Sequence, residues 1–297
     1  MPNISLTGLD GGNLLGFLAA LGTLRILSKF HTARLSWKQE SWWMPIIDSD
    51  LRSEADLLSC ISSRLCGANS INPAWEIDQD LKLSIREIHE NLLASAARAG
   101  LGDRTEADFL CAFGSDVFGT GPKKEFMSNT ELRAVGGGPQ HFLGSMKELA
   151  LMTTEEDLAR TLFSPWDYQD GRPSLRWDPA DFRPHALRAM DPSTDPILTM
   201  RGANRLAIEA MPLFPTAPAK RRLRTVGFEE RNGQVGLTWP IWRDPLDLDT
   251  VKSLLALEDI QTFEEQTLVK RGIAQVFRTL RFTEGKYRNF SPAKAQM

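Results

Sequence analysis

The first long apolar stretch in the chain does not alternate. From Leu14 to Lys29 hydrophobic residues cover nearly every side of a helical wheel, a pattern expected of a buried helix and not of a surface one. Asp10-Gly11-Gly12-Asn13 ahead of it reads as a turn, with Asn13 placed to cap the helix. The small residues Gly16, Ala19, Ala20 and Gly22 would let neighbours approach closely. Ile4 to Leu6 predicts a short strand before this helix. Arg34 to Trp43, where Leu35 and Trp37 alternate with polar positions, predicts another after it.

Further along, apolar residues recur at helical spacing over 53–66 and 80–99, for example Leu81, Ile85, Ile88 and Leu92, and Gly100 and Gly102 stop the second run. Helices are also expected over 103–113, over 141–151, and from a Thr154 start to Phe163. Between them, residues 114–140 hold six glycines with Lys123, Lys124 and Arg133 interspersed, and read as a glycine-rich loop or a hairpin with loose ends. From 164 to 218 prolines break helical patterns, apart from a helix over 203–211. Residues 223–242 predict a hairpin turning at Asn232-Gly233. Two helices, 248–258 and 263–280, and a polar tail are expected at the end. The fold class is therefore α+β. A helical N-terminal half carries a short β-sheet, a β-rich middle contains the Pro and Trp residues, and a C-terminal helical element follows. The expected domains are 1–163, 164–243 and 244–297.

Composition narrows the class. Of 297 residues 25% are charged and 42% hydrophobic, values of a globular chain and not of a disordered one. The net charge of -3 means that any polyanion site must be a local patch. Three cysteines, Cys60, Cys66 and Cys111, with no Cys-x-x-Cys pair, argue against a disulfide framework or a zinc site and for a reducing compartment. The start lacks a signal-peptide pattern and the apolar stretch is too short to span a bilayer, so a cytoplasmic protein with no membrane contact is expected.

Charge segregates in the last third. Lys220, Arg221, Arg222 and Arg224 form a tight cluster; residues 244–265 are acidic; Lys270, Arg271, Arg278, Arg281, Lys286 and Arg288 form a second basic run. Such density neutralises phosphates, and the nearby Phe228, Trp239, Trp242, Phe282 and Tyr287 are candidates to stack on bases. The blander reading is a solvated face paired with the acidic segment.

Catalytic patterns are scarce. The four histidines are far apart in sequence, and no metalloprotease, zinc or serine-hydrolase pattern occurs. Gly114 and Gly119 have the spacing of a phosphate-binding loop without its Lys-Ser/Thr, although exposed N–H groups beside Lys123 and Lys124 would still suit a phosphate. Asp178 with Asp181, and Asp191 with Asp195, flank prolines in the manner of turns and caps. No enzyme activity, cofactor or metal is expected.

Several stretches resemble large-subunit proteins of the type I-G (formerly I-U) CRISPR surveillance (Cascade) complex. They are Leu6-Thr7-Gly8-Leu9-Asp10-Gly11-Gly12-Asn13 running into Gly16 to Arg25, then Ser174 to Pro179, Ala203 to Pro215, Thr225-Val226-Gly227-Phe228 and Trp239-Pro240-Ile241-Trp242. The resemblance implies a non-catalytic, antiviral-defence ribonucleoprotein subunit. It would sit beside subunits that carry the guide RNA, bind double-stranded target DNA, sense the flanking motif and help open the duplex. A recruited helicase-nuclease would then cut. On that reading Lys123, Lys124, Arg133 and Gln140 reach the DNA near the flanking motif, Gln140 reading base edges. Lys220, Arg221, Arg222, Arg224, Arg271, Arg278 and Arg281 hold the backbone. The rivals are a protein-interaction scaffold in a defence complex and a metal-dependent nuclease whose distant carboxylates and histidines meet only in the fold.

Overall fold

A computed structural model of the chain describes residues 2–135, 141–181, 198–219, 222–284 and 287–297. It is α+β, as the sequence predicts. Helix α1 (Leu14–Leu27) is buried along its whole length. Asn13 caps it, its Oδ1 accepting from the N–H groups of Leu15 (2.8 Å) and Gly16 (3.3 Å). One side of α1 meets a three-stranded antiparallel sheet in the order β1 (Asn3–Ser5), β3 (Trp43–Ser49), β2 (Ala33–Gln39). The single strand expected over 34–43 is thus the first arm of a hairpin.

The helices α2 (Glu54–Leu65), α3 (Ile85–Gly100), α4 (Thr105–Phe113), α5 (Phe142–Met152) and α6 (Glu155–Phe163) follow. α3 begins five residues later than the periodicity suggests. Ser84 and Glu87 form a reciprocal capping box there. Asp80 and Leu81 lie outside the helix, Leu81 at φ 56°. Residues 114–129 are an ordered hairpin of β4 (Gly114–Thr120) and β5 (Phe126–Asn129).

α7 (Arg201–Ile208) returns the chain to α1. The two touch so closely at Gly22 that a Cβ there would sit 1.8 Å from the Leu206 carbonyl oxygen. Around this contact Arg25 and Arg205 both bind Glu209, at 2.8 and 3.0 Å. Burial alone would raise the Glu209 carboxyl pKa; the two arginines outweigh it and hold the group below its ordinary value.

A small hairpin of β6 (Thr216–Ala219) and β7 (Arg222–Thr225) leads into an antiparallel sheet. Its path is β11 (Tyr287–Phe290), β10 (Ile273–Glu284), β9 (Gln234–Trp242), β8 (Phe228–Arg231), with β12 (Lys294–Ala295) also on β10. The β8–β9 turn is at Asn232-Gly233, with φ values of 52° and 75°, the left-handed pair that a tight two-residue hairpin requires.

The C-terminal helical element is only partly present. α8 (Leu248–Leu255) and the short α9 (Glu265–Lys270) form, but the helix expected to run to 280 does not. Gly272 at φ 78° ends α9, and from Ile273 the chain is the long strand β10, paired with β9. Partner contacts decide this segment: Phe277 packs on Trp239 in a tilted pair with ring centroids 5.9 Å apart. One buried cluster gathers side chains from Ile4 to Phe290 across all three expected domains. Among the described residues no helix is long and apolar enough to cross a membrane.

Overpacking a tight backbone contact costs about 1–3 kcal/mol or more. Gly22→Ala is therefore expected to lower unfolding free energy by at least about 2 kcal/mol in urea denaturation, whereas Gly100→Ala, which meets open space, changes it little.

Candidate nucleic-acid interface

The chain after β5 turns sharply. Thr130 donates its N–H to the Phe113 carbonyl (2.8 Å), and its own carbonyl accepts from Arg133 N (3.2 Å). Leu132 is driven into the core, and its carbonyl accepts the indole N–H of buried Trp177 at 2.8 Å. That anchor leaves Arg133 pointing at Asp80, 2.7 Å away. Asp80 is itself fixed, its other oxygen accepting from Phe142 N at 3.1 Å.

Arg281, on β10, donates to the Arg133 carbonyl at 2.9 Å. The β10–β11 pairing sets Phe290 opposite Arg281 and Arg288 opposite Thr283, so Arg288 lies on the adjacent strand. Each of these guanidiniums feels others of the group. Burial, then Arg288, pulls Arg281 down to about 10, with Glu131 opposing and Arg133 adding to the fall. Arg288 is lowered by burial and then by Arg133, Asp80 opposing. Burial raises the Glu131 carboxyl, against the pull of a Thr225 hydrogen bond and of Arg281, Arg224 and Arg222.

Arg133, Arg281 and Arg288 therefore converge, with Arg224 and Arg222 adjoining through Glu131. Among the described residues Asp80 and Glu131 answer this group, and Glu230 answers Arg222. The buried Nε atoms of Arg133 and Arg281 have no hydrogen-bond partner. Because the folded pKa of Arg281 lies well below its ordinary value, folding disfavours its charge. That penalty is fully present at neutral pH and is relieved only as pH rises through about 10. A bound anion would relieve it at neutral pH.

Other expected site residues fare differently. Arg222 pairs with Glu230, and Arg224 donates to the Phe228 carbonyl at 3.3 Å. Lys123 and Lys124 stand exposed at the β4–β5 tip, with no ion pair among the described residues. Arg278 does not belong to the interface: it is buried and commits its donors to Thr238 Oγ1 and the Glu229 carbonyl, both at 2.9 Å. Arg271 lies elsewhere, paired with Asp259 at 2.7 Å. Gln140, Lys220 and Arg221 lie outside the described residues. Phe228, Trp239 and Trp242 are core side chains, closed to stacking on bases. The indole N–H groups of Trp239 and Trp242 are held by the carbonyls of Gly11 and Leu35.

At Gly119 the two arms of the hairpin approach so closely that only glycine fits. A Cβ on Gly119 would lie 1.9 Å from the Lys124 carbonyl oxygen. Two histidines meet aspartates that are distant in sequence: His89 with Asp116 at 2.6 Å and His31 with Asp50 at 3.3 Å. Ser115 bonds the Asp116 carboxylate and not the imidazole, so the group is not a nucleophile relay. Asp178 serves as a local cap, accepting from Ala180 N at 2.9 Å and Asn13 Nδ2 at 3.3 Å. Among the described residues no three His, Cys, Asp or Glu side chains gather to hold a metal ion.

Sequence reading missed Asp80 and Glu131, because a carboxylate gives no signal until its partner is known. It placed Arg288 in a basic run without assigning it to the site. Compared with family models and with curated proteins, the chain has no match.

Inorganic pyrophosphate is expected to raise the melting temperature of the wild-type protein. Folding disfavours the charge of Arg281, so an uncharged side chain of similar length regains that penalty while losing the hydrogen bond to the Arg133 carbonyl. Arg281→Met is thus expected to cost less than about 1 kcal/mol in phosphate-free urea denaturation and to abolish the response to pyrophosphate. A wild-type protein insensitive to pyrophosphate contradicts the anion reading.

Proposed function

We propose that this chain is a non-catalytic, cytoplasmic subunit of a CRISPR type I effector complex. It would grip the sugar–phosphate backbone of target DNA, sense the flanking motif and help open the duplex. The observation that carries the nucleic-acid part is the convergence of Arg133, Arg281 and Arg288 around buried donors that lack partners. Guanidiniums match phosphate oxygens in geometry as well as charge. A cluster that is under-compensated inside a chain of net charge -3 suits a local polyanion site.

The complex, the guide RNA-bearing neighbours and the recruited helicase-nuclease rest on the resemblance of the N-terminal and tryptophan-containing segments. In such an assembly base pairing with the guide supplies sequence specificity, and the protein supplies backbone contact and flank reading. Arg222 and Arg224, and the exposed Lys123 and Lys124, would extend the contact along the phosphates.

The test is a pull-down of tagged protein from its native host, with the co-purifying RNA and chains identified. A short guide RNA together with backbone subunits is the expected result. Recovery of the chain alone, free of RNA, overturns the complex reading.

A further inference from the structure

A second site lies where the loop 7–13 meets the end of α6. The loop closes the helix: Gly8 N donates to the Leu162 carbonyl at 2.9 Å, and Thr7 Oγ1 to the Phe163 carbonyl at 2.9 Å. Gly8 has to be glycine, since a Cβ would lie 2.3 Å from the Thr161 carbonyl oxygen. The junction forms an open cleft of about 340 Å³ walled by Leu9, Trp42, Pro165, Trp166 and Tyr168.

The rings of Trp166 and Tyr168 stand nearly perpendicular, at 79° with centroids 6.0 Å apart. Their polar ends are engaged by the protein. The Trp166 indole N–H is held by the Thr161 carbonyl at 3.1 Å, and the Tyr168 hydroxyl bonds the Asp178 carboxyl. What remains for a ligand is aromatic surface. Tyr168 adopts φ 51°, a left-handed conformation costly for a residue with a side chain, and strain of this kind gathers at binding sites.

The charge at the cavity has one sign. Half-buried Asp10 lines it, its Oδ1 accepting from Gly12 N at 2.8 Å. The negative end of the α6 dipole terminates beside it. Among the described residues no lysine, arginine or histidine lines the cavity. A phosphate would find no partner there. A cation would find ring faces and a carboxylate, the combination that binds guanidinium and ammonium groups.

We propose that this cavity receives an arginine side chain presented by a neighbouring protein. A planar guanidinium stacks on indole faces while donating to a carboxylate, which a compact ammonium does less well. Trp42, 42% exposed at the tip between β2 and β3, stands at the mouth and would cover the incoming side chain. This site is separate from the arginine cluster and does not depend on the nucleic-acid reading.

The experiment is an NMR titration of the tryptophan indole N–H signals with N-acetylarginine amide. The neutral isostere N-acetylcitrulline amide and adenosine monophosphate serve as comparisons. Arginine amide should shift the Trp42 and Trp166 signals saturably, and citrulline amide should bind at least about fivefold more weakly. Asp10→Asn should remove that difference. Trp42→Ala, a change at an exposed position, should weaken binding about fivefold with the melting temperature unchanged. Equal binding of citrulline amide, absence of any shift, or preference for the nucleotide overturns the proposal.

Discussion

The contact between Gly22 on α1 and the Leu206 carbonyl on α7 sets the distance on which the rest of the molecule is built. With any side chain at 22 the helices would separate, and the buried bridge of Arg25, Glu209 and Arg205 would be pulled out of its geometry. A broken buried ion pair leaves an uncompensated charge, which costs more than the intact pair stabilises. From α7 the constraint passes outward. Asn204 accepts from Leu175 N at 2.9 Å, which fixes the segment leading to Trp177. Trp177 in turn holds the Leu132 carbonyl, and Leu132 precedes Arg133. Helix packing in the core thus orients a guanidinium of the arginine cluster.

Within the arginine cluster, burial and like charge both act against the charged state of Arg281 and Arg288. Several guanidiniums near one another in a partly dry environment disfavour each other's charge, which is why burial and neighbouring arginines depress Arg281 and Arg288. Asp80 and Glu131 offset part of this, and Glu131 is itself raised by burial. An anion beside these guanidiniums would offset the same repulsion, which is the physical basis of the proposed phosphate contact.

Much of the fold was legible because its signals are local. The all-round apolar run of α1, the Asn13 cap, the Thr154 start of α6 and the Asn232-Gly233 turn each depend on a few neighbouring residues, whereas the Ser84 box that starts α3 was passed over for the apolar spacing before it. Segment 263–280 misled because Val276, Phe277 and Leu280 suit either period. Its strand state comes from β9, distant in sequence. The candidate site was half legible for the same reason. Arg133 and Arg281 stood out as charges, but so did Arg278 and Arg271, which bind Thr238, Glu229 and Asp259, and Arg133 itself is buried against Asp80 with its Nε unpaired. Local charge density does not say which arginines are already engaged. Aromatic residues near basic ones misled likewise, since Trp239 and Trp242 fill the core.

The central claim, that Arg133 and Arg281 hold phosphates, is tested most directly by the salt dependence of binding to a short DNA duplex. Removing one phosphate-binding side chain should lower the slope of log affinity against log salt by about one. The account predicts a slope reduced by about two in an Arg133→Gln/Arg281→Gln protein that still melts cooperatively, and an unchanged slope in Arg271→Gln. A double variant that binds with wild-type affinity and slope would contradict it.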